Sequence, residues 1–217
     1  GSCEKLAAGL FEHLQRMEGV TIRMGTPIHR LEPANGRIRA AHANSLRIEA
    51  DHFVLAAGMG SRHLLQPLGG SLPLYPLKGY SLSIPGQGES APTISVTDYG
   101  RRTVYANLGG TLRIAAMVGI GLPGAGIEPA RIALLKRQAQ ELLPTVDLSA
   151  AKAWAGNRPA TPDGRPRIGR SPLADNLWLN IGHGALGFTL ACGSSMLLSA
   201  IMAGRPPPID PAPFAPR

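Results

Sequence analysis

Cysteine is nearly absent: Cys3 and Cys192 are the only two in 217 residues, and their separation fits neither a metal-ligand cluster nor a redox pair. That excludes a disulfide scaffold and a zinc fold, makes a reducing compartment the default, and leaves no metal to expect. Aromatic residues are also scarce, with four Phe, four Tyr and two Trp. With so few stacking platforms and with arginines scattered along the chain, a nucleic-acid partner is not expected. No Gly-Lys-Ser/Thr phosphate loop and no Ser/His/Asp order is present. The opening Gly1-Ser-Cys-Glu-Lys5 leads directly into an amphipathic pattern with early charges, which does not read as a signal peptide. One uncharged run, Ala185 to Gly204, meets the length of a membrane span. Gly187, Thr189, Gly193, Ser194 and Ser195 make it small and polar on one side, and no Trp/Tyr belt flanks it, so a buried core helix is expected.

What remains is a globular chain long enough for one substantial core or two small ones, with 44% hydrophobic and 17% charged residues. The net charge of +8 is carried almost wholly by arginine, the side chain suited to bidentate anion contacts. Leu6, Leu10, Phe11, Leu14 and Met17 recur at helical spacing within 4–17. Val20 to Met24 alternates as a strand, and a hairpin follows through 28–31, the Asn35-Gly36 turn, 38–40 and 46–48. His52 to Ala57 reads as a buried strand that enters a glycine turn and a short helix over 61–66. Further strands are expected at 79–84, 93–96, 103–107 and 112–117, with a Gly109-Gly110 hairpin turn. A flexible loop over 119–126 then leads to a helix that starts at Pro129 and stops at Pro144. Strands resume at 151–157 and 177–181, and the Pro-rich tail beyond Arg205 is expected to fray.

Three stretches carry chemistry. Val54-Leu-Ala-Ala-Gly-Met-Gly60 is half of a dinucleotide-binding fingerprint, in which His63 stands where a third glycine belongs. Between Trp154 and Gly169, prolines at 159, 162 and 166 fix an irregular backbone from which Arg158 projects. Between Ala151 and Arg170 five basic residues face one acidic residue, and a held arginine there can clamp a carboxylate through two parallel hydrogen bonds. The alternative for Arg158 is a structural role on loop carbonyls. Asn180-Ile-Gly-His-Gly-Ala-Leu-Gly-Phe-Thr189 packs glycines before an uncharged helix, presenting backbone N–H groups and the positive end of a helix dipole to an electron-rich ring or an anion. His183 within it is read as hydrogen-bonding the turn or a cofactor edge rather than as a base, since no orienting partner is visible.

In order along the chain, Val54-Leu-Ala-Ala-Gly58, Tyr75-Pro-Leu-Lys-Gly-Tyr-Ser81, Trp154-Ala-Gly-Asn-Arg-Pro159, Thr161-Pro-Asp-Gly164 and the 180–193 stretch resemble the flavoprotein family of D-amino-acid dehydrogenases. That family sits in the larger group of D-amino-acid, glycine and sarcosine oxidases. The resemblance implies a mixed α/β fold: part of an FAD-binding Rossmann-like domain (1–72), an antiparallel-sheet substrate domain (73–150), a return to the FAD-binding domain (151–206), and a tail (207–217). It covers the later half of such an enzyme, so the GxGxxG unit is expected from a missing amino-terminal half of the same enzyme. FAD is the implied cofactor. Gly182, His183, Gly184, Ala185, Leu186, Gly187, Phe188 and Thr189 would lie against the flavin ring, where their dipoles meet the charge of the reduced flavin. Ala57, Gly58 and Gly60 would border another part of the cofactor.

By the same resemblance Arg158 binds the substrate carboxylate, and Tyr80 and Tyr105 are pocket walls. Lys78 either approaches the flavin or snorkels to solvent. Ala185 stands where glycine oxidase has a larger polar residue and implies a roomier pocket, and Asn157 replaces a usually apolar neighbour of the arginine. The implied reaction is hydride transfer from a D-amino acid to FAD, giving an imino acid that hydrolyses to a keto acid and ammonia. The alternatives are a related glycine, sarcosine or proline-type amine oxidase, and a truncated, non-catalytic fragment unable to hold FAD. The partners implied are a small amino-acid substrate and a peripheral membrane or quinone contact, with a cytoplasmic location or one peripheral to the inner membrane.

Overall fold

In the computed structural model, residues 2–87, 90–121 and 126–216 are described. The chain divides into two units, one built mainly from Pro76–Arg158 and the other from Cys3–Tyr75 with Pro159–Arg217.

The second unit begins with helix α1, Cys3–Gln15, which buries none of its residues. Its stripe of Leu6, Leu10 and Leu14 is exposed, as are Met17 and Val20 beyond it. The strand expected over 20–24 does not form: the segment has no hydrogen-bonded ladder, and alternation without a partner strand does not hold an extended backbone. The meander does form, as β1 (Arg30–Ala34), β2 (Arg37–Ala43) and β3 (Leu46–Glu49). All its pairs are antiparallel, and β1 and β2 are joined by Asn35 and Gly36, both at positive φ, the turn that a right-twisted hairpin prefers. Next come β4 (Phe53–Leu55) and the short helix α2 (Gly60–Leu65).

The other unit is a five-stranded sheet ordered β6-β7-β8-β5-β9. It comprises β5 (Tyr75–Pro85), β6 (Val96–Asp98), β7 (Thr103–Asn107), β8 (Thr111–Ile120) and β9 (Lys152–Ala160). Gly109 and Gly110, both at positive φ, close the β7–β8 hairpin, and helix α3 (Pro129–Leu142) starts on Pro129. Strand β6 begins at Val96, later than the 93–96 stretch of the sequence pattern. Of the loop expected over 119–126, residues 119 and 120 belong to β8 and 122–125 lie outside the described residues. Leu82, Ile84, Leu112, Ile114, Leu135 and Ala139 form a core between α3 and one face of the sheet. Each buried Leu or Ile side chain among them contributes roughly 1.5–3 kcal/mol.

The chain then returns to the second unit through β10 (Arg167–Arg170), β11 (Leu177–Ile181) and α4 (Gly187–Met202). Strand β11 pairs antiparallel with β10 and parallel with β4, which makes the whole fold mixed α/β. Helix α4 is not buried all round. Ser194, Leu197, Leu198 and Ala200 are buried and the helix packs on β10 and β11, while Phe188, Cys192 and Met196 are exposed. Gly184–Met202 is long and apolar enough to cross a membrane by length and composition alone. The tail does not fray: Phe214, in a 3-10 turn over Ala212–Phe214, packs against Ile168, Trp178, Leu197 and Leu198, and that burial outweighs the loose ends proline tails usually have.

Candidate functional site

Arg158 lies on β9, the edge strand of the five-stranded sheet, and not on an irregular loop. An edge strand accepts Pro159 because the missing N–H costs no ladder bond. The arginine's place is set by a glycine on the neighbouring strand. A Cβ built on Gly79 of β5 would stand 2.6 Å from Arg158 Cζ and 2.7 Å from Nη1, so the guanidinium rests over bare backbone where any other residue would displace it. Among the described residues the Arg158 side chain makes no hydrogen bond and no ion pair, so its donors are not consumed by loop carbonyls.

Two further side chains share that face. Trp154 is two strand pairs back along β9 and its ring covers Gly156, whose Cβ would fall 2.5 Å from Trp154 Cζ2. Arg113 of β8 sits 5.6 Å above the Trp154 ring and donates from Nη2 to Ser81 Oγ at 3.2 Å. Gly79 and Ser81 alternate with Tyr80 and Leu82 along β5, so they point away from the core. The regularity of β5 here depends on β8: the register shifts between Gly79 and Tyr80, and Met117, at φ 65°, is the extra residue on the β8 side. None of Gly79, Ser81, Arg113 and Trp154 was singled out for this face from the sequence, and the signal available was the period-2 placement of Gly79 and Ser81.

Tyr80 and Tyr105 both lie on the α3 side of the sheet and not on the face that carries Arg158. Tyr80 is 1% exposed on the α3 side, where its hydroxyl donates to Glu128 Oε1 at 2.7 Å and Arg131 lies 5.3 Å over its ring. Burial, then the Glu128 hydrogen bond, raise the Tyr80 pKa above the usual phenol value. The hydrogen bonds from Tyr80 and Arg131 hold the Glu128 carboxyl below the usual range. Tyr105 is fully buried in the core, its pKa raised chiefly by burial, and its hydroxyl has no partner among the described residues. Lys78 does not snorkel: it is 3% exposed with its Nζ 5.8 Å over the Tyr80 ring.

In the other unit, Gly182 and Gly184 stand at φ 82° and 53°. A Cβ on Gly182 would meet Thr161 Cγ2 at 2.7 Å and Leu74 Cδ2 at 3.3 Å, so glycine is required there both by φ and by space. His183 bridges to Ala160, and its Nε2 shares a hydrogen bond of 2.9 Å with Ser194 Oγ on α4. Burial lowers its pKa, so the ring is neutral at pH 7. Neither the 3-10 turn over Gly184–Leu186 nor α4 carries a side-chain cap. The Leu186 N–H donates to His183 O at 3.1 Å, and the positive end of the helix dipole lies beside the exposed Ala185, Leu186, Phe188 and Thr189. Ala57 lines an apolar trough of about 360 Å³ with Phe53, Val54 and Leu64, and Gly58 at φ 54° and Gly60 turn the chain from β4 into α2. An uncapped 16-residue helix behind a glycine turn, bordered by apolar side chains, suits the polar edge and flat face of a flavin. A GxGxxG phosphate cradle is not among the described residues.

Residues 2–201 match the FAD dependent oxidoreductase family, and the chain belongs to that family of FAD-dependent enzymes. Two relatives are D-amino acid dehydrogenase 2 of Pseudomonas aeruginosa, 48% identical over 99% of this chain, and D-amino acid dehydrogenase 2 of Ralstonia nicotianae, 44% identical over 98%. The chain spans about half their length, 52% in each case. Among solved structures, glycine oxidase from Geobacillus kaustophilus superposes with a TM-score of 0.78 at 23% identity, over 92% of this chain and 54% of that one. Iminodiacetate oxidase from Chelativorans does so with a TM-score of 0.80 at 22% identity, over 98% and 58%. These two likenesses speak to fold.

Proposed function

We propose that the chain is the substrate-binding and flavin-edge portion of an enzyme that oxidises D-amino acids. The observation that carries this reading is the guanidinium of Arg158, cleared a place by Gly79 and left without a side-chain partner among the described residues. A planar fork in that state binds a carboxylate through two parallel N–H···O bonds and fixes the amino acid's orientation. FAD, when bound, supplies the acceptor for the hydride leaving the substrate Cα. The residues Gly182 to Thr189 provide the dipoles that favour negative charge at the ring edge. His183, neutral and tied to Ser194, holds the turn in shape and takes no proton. The imino acid formed hydrolyses to a keto acid and ammonia without a protein nucleophile.

The names of the dehydrogenase relatives support the substrate class. The phosphate cradle for the cofactor is assigned to an amino-terminal half corresponding to the unmatched portion of those relatives. A cytoplasmic location with peripheral contact to the inner membrane and a quinone acceptor completes the proposal. The test is dye-coupled oxidation of paired D- and L-amino acids by the protein with that half attached. Turnover of D-amino acids is expected, with oxygen uptake much slower than dye reduction. Turnover confined to glycine or sarcosine, with oxygen consumed, would instead establish the related amine-oxidase reading.

A further inference from the structure

The open face of the five-stranded sheet holds a second guanidinium that binding a simple amino-acid carboxylate does not use. Arg158 lies over Gly79, and Arg113 is hydrogen-bonded to Ser81, two residues further along the same strand and on the same side. Two residues of strand span about 7 Å, so the β5 positions on which the two cations rest are separated by roughly that distance. Arg113 is held, not free to swing: Ser81 takes one of its N–H groups and the Trp154 ring supports its plane at 5.6 Å. Trp154 is itself placed by Gly156, on the β9 edge that also carries Arg158. Among the described residues neither arginine has a carboxylate partner. Two like charges on one face of the sheet, each left with unused donors, repel until an anion neutralises them.

We propose that Arg113, braced by Ser81 and Trp154, binds a second carboxylate on the substrate, so that this face selects amino acids with acidic side chains. The inference rests on the reading of Arg158 as the site of the α-carboxylate. One carboxylate meets Arg158 and the side-chain carboxylate meets Arg113, while the apolar spacer between them lies against the indole of Trp154, which is 53% exposed. A substrate lacking the second carboxylate leaves the repulsion between the guanidinium groups in place, and that difference is the source of selectivity.

The test is calorimetric titration of the purified chain with glutarate and with butyrate, which differ by the second carboxylate, with Trp154 fluorescence marking the site. Glutarate is expected to bind about tenfold more tightly. Arg113→Gln should bring glutarate to the butyrate value, Arg113→Lys should keep part of the preference, and Arg158→Gln should weaken both ligands. Ser81→Ala, which leaves both charges in place and is the milder change, should lower the preference about threefold by loosening Arg113. Equal binding of the two anions to the unsubstituted chain, or a preference that survives Arg113→Gln, overturns the inference while leaving Arg158 as a carboxylate site. Butyrate binding that is undetectable, or indifferent to Arg158→Gln, overturns the reading of Arg158 and this inference with it.

Discussion

The two faces of the five-stranded sheet are made by alternate residues of the same strands and are built in opposite ways. Under α3, Leu82, Ile84, Leu112 and Ile114 are wholly buried, and a polar cluster is closed on itself through Tyr80, Glu128 and Arg131. On the other face, Gly79 and Gly156 remove side chains so that Arg158 and Trp154 can lie flat, and Arg113 and Arg158 have no carboxylate partner among the described residues. One face spends its side chains on cohesion, and the other withholds them to leave donors for a ligand. If that division is right, substitutions on one face should change stability and not binding, and on the other binding and not stability.

The largest expected effect lies on the closed face. Leu82→Ala removes a fully buried side chain from the core and should cost about 3 kcal/mol, read as an earlier unfolding midpoint in denaturant. Substrate KM, measured in the folded fraction, should stay within about twofold. Next is Arg158→Ala in the protein joined to the proposed amino-terminal half. Loss of a bidentate carboxylate contact should raise KM about a hundredfold while the unfolding midpoint barely moves. An unchanged KM would remove Arg158 from the binding surface and erase the proposed difference between the faces.

Gly79→Ala should be smaller and more telling. The added methyl collides with the far end of a flexible side chain, so the cheapest relief is for the guanidinium to move rather than for the sheet to yield. KM should rise about tenfold with little loss of stability. Combining Gly79→Ala with Arg158→Ala should add almost nothing to the single arginine change, because both act through one contact. Additive effects would mean that Gly79 serves the backbone and not Arg158.

Much of this was legible from residue order. The Asn35-Gly36 and Gly109-Gly110 turns announced their hairpins because only residues that accept positive φ fit there, and Pro129 marked the start of α3. The glycines at 182 and 184 signalled an unusual turn for the same reason. What could not be read was the side of a sheet on which a residue falls when a neighbouring strand carries a bulge. Met117 shifts the register opposite Gly79 and Tyr80, and strand pairing decides which side chains meet. Tyr80 and Tyr105 look like pocket residues by type, yet the pleat turns both toward α3. The strand pattern expected at 151–157 stopped short of Arg158 and the stretch up to Gly169 read as irregular because prolines dominate it, although β9 runs on to Ala160 and β10 starts at Arg167. Proline at an edge hides a strand from any pattern based on propensity. The exposed stripe of α1 was equally unreadable, since an amphipathic repeat specifies that a helix has an apolar side and not what covers it.

Tyr105 gives the smallest effect and the finest test of the comparison. Its hydroxyl is buried without a partner among the described residues, so the folded state bears a desolvation cost that the unfolded chain does not. Tyr105→Phe keeps the ring in the core and removes only that cost. Stability should therefore hold or rise by up to about 1 kcal/mol, with KM unaltered. Tyr80→Phe is the matched control, because it breaks the hydrogen bond to Glu128 and should lower stability and release the Glu128 carboxyl toward its usual pKa. A rise in KM for Tyr105→Phe would show that the core face communicates with substrate, and the division between cohesive and binding faces would then have to be given up.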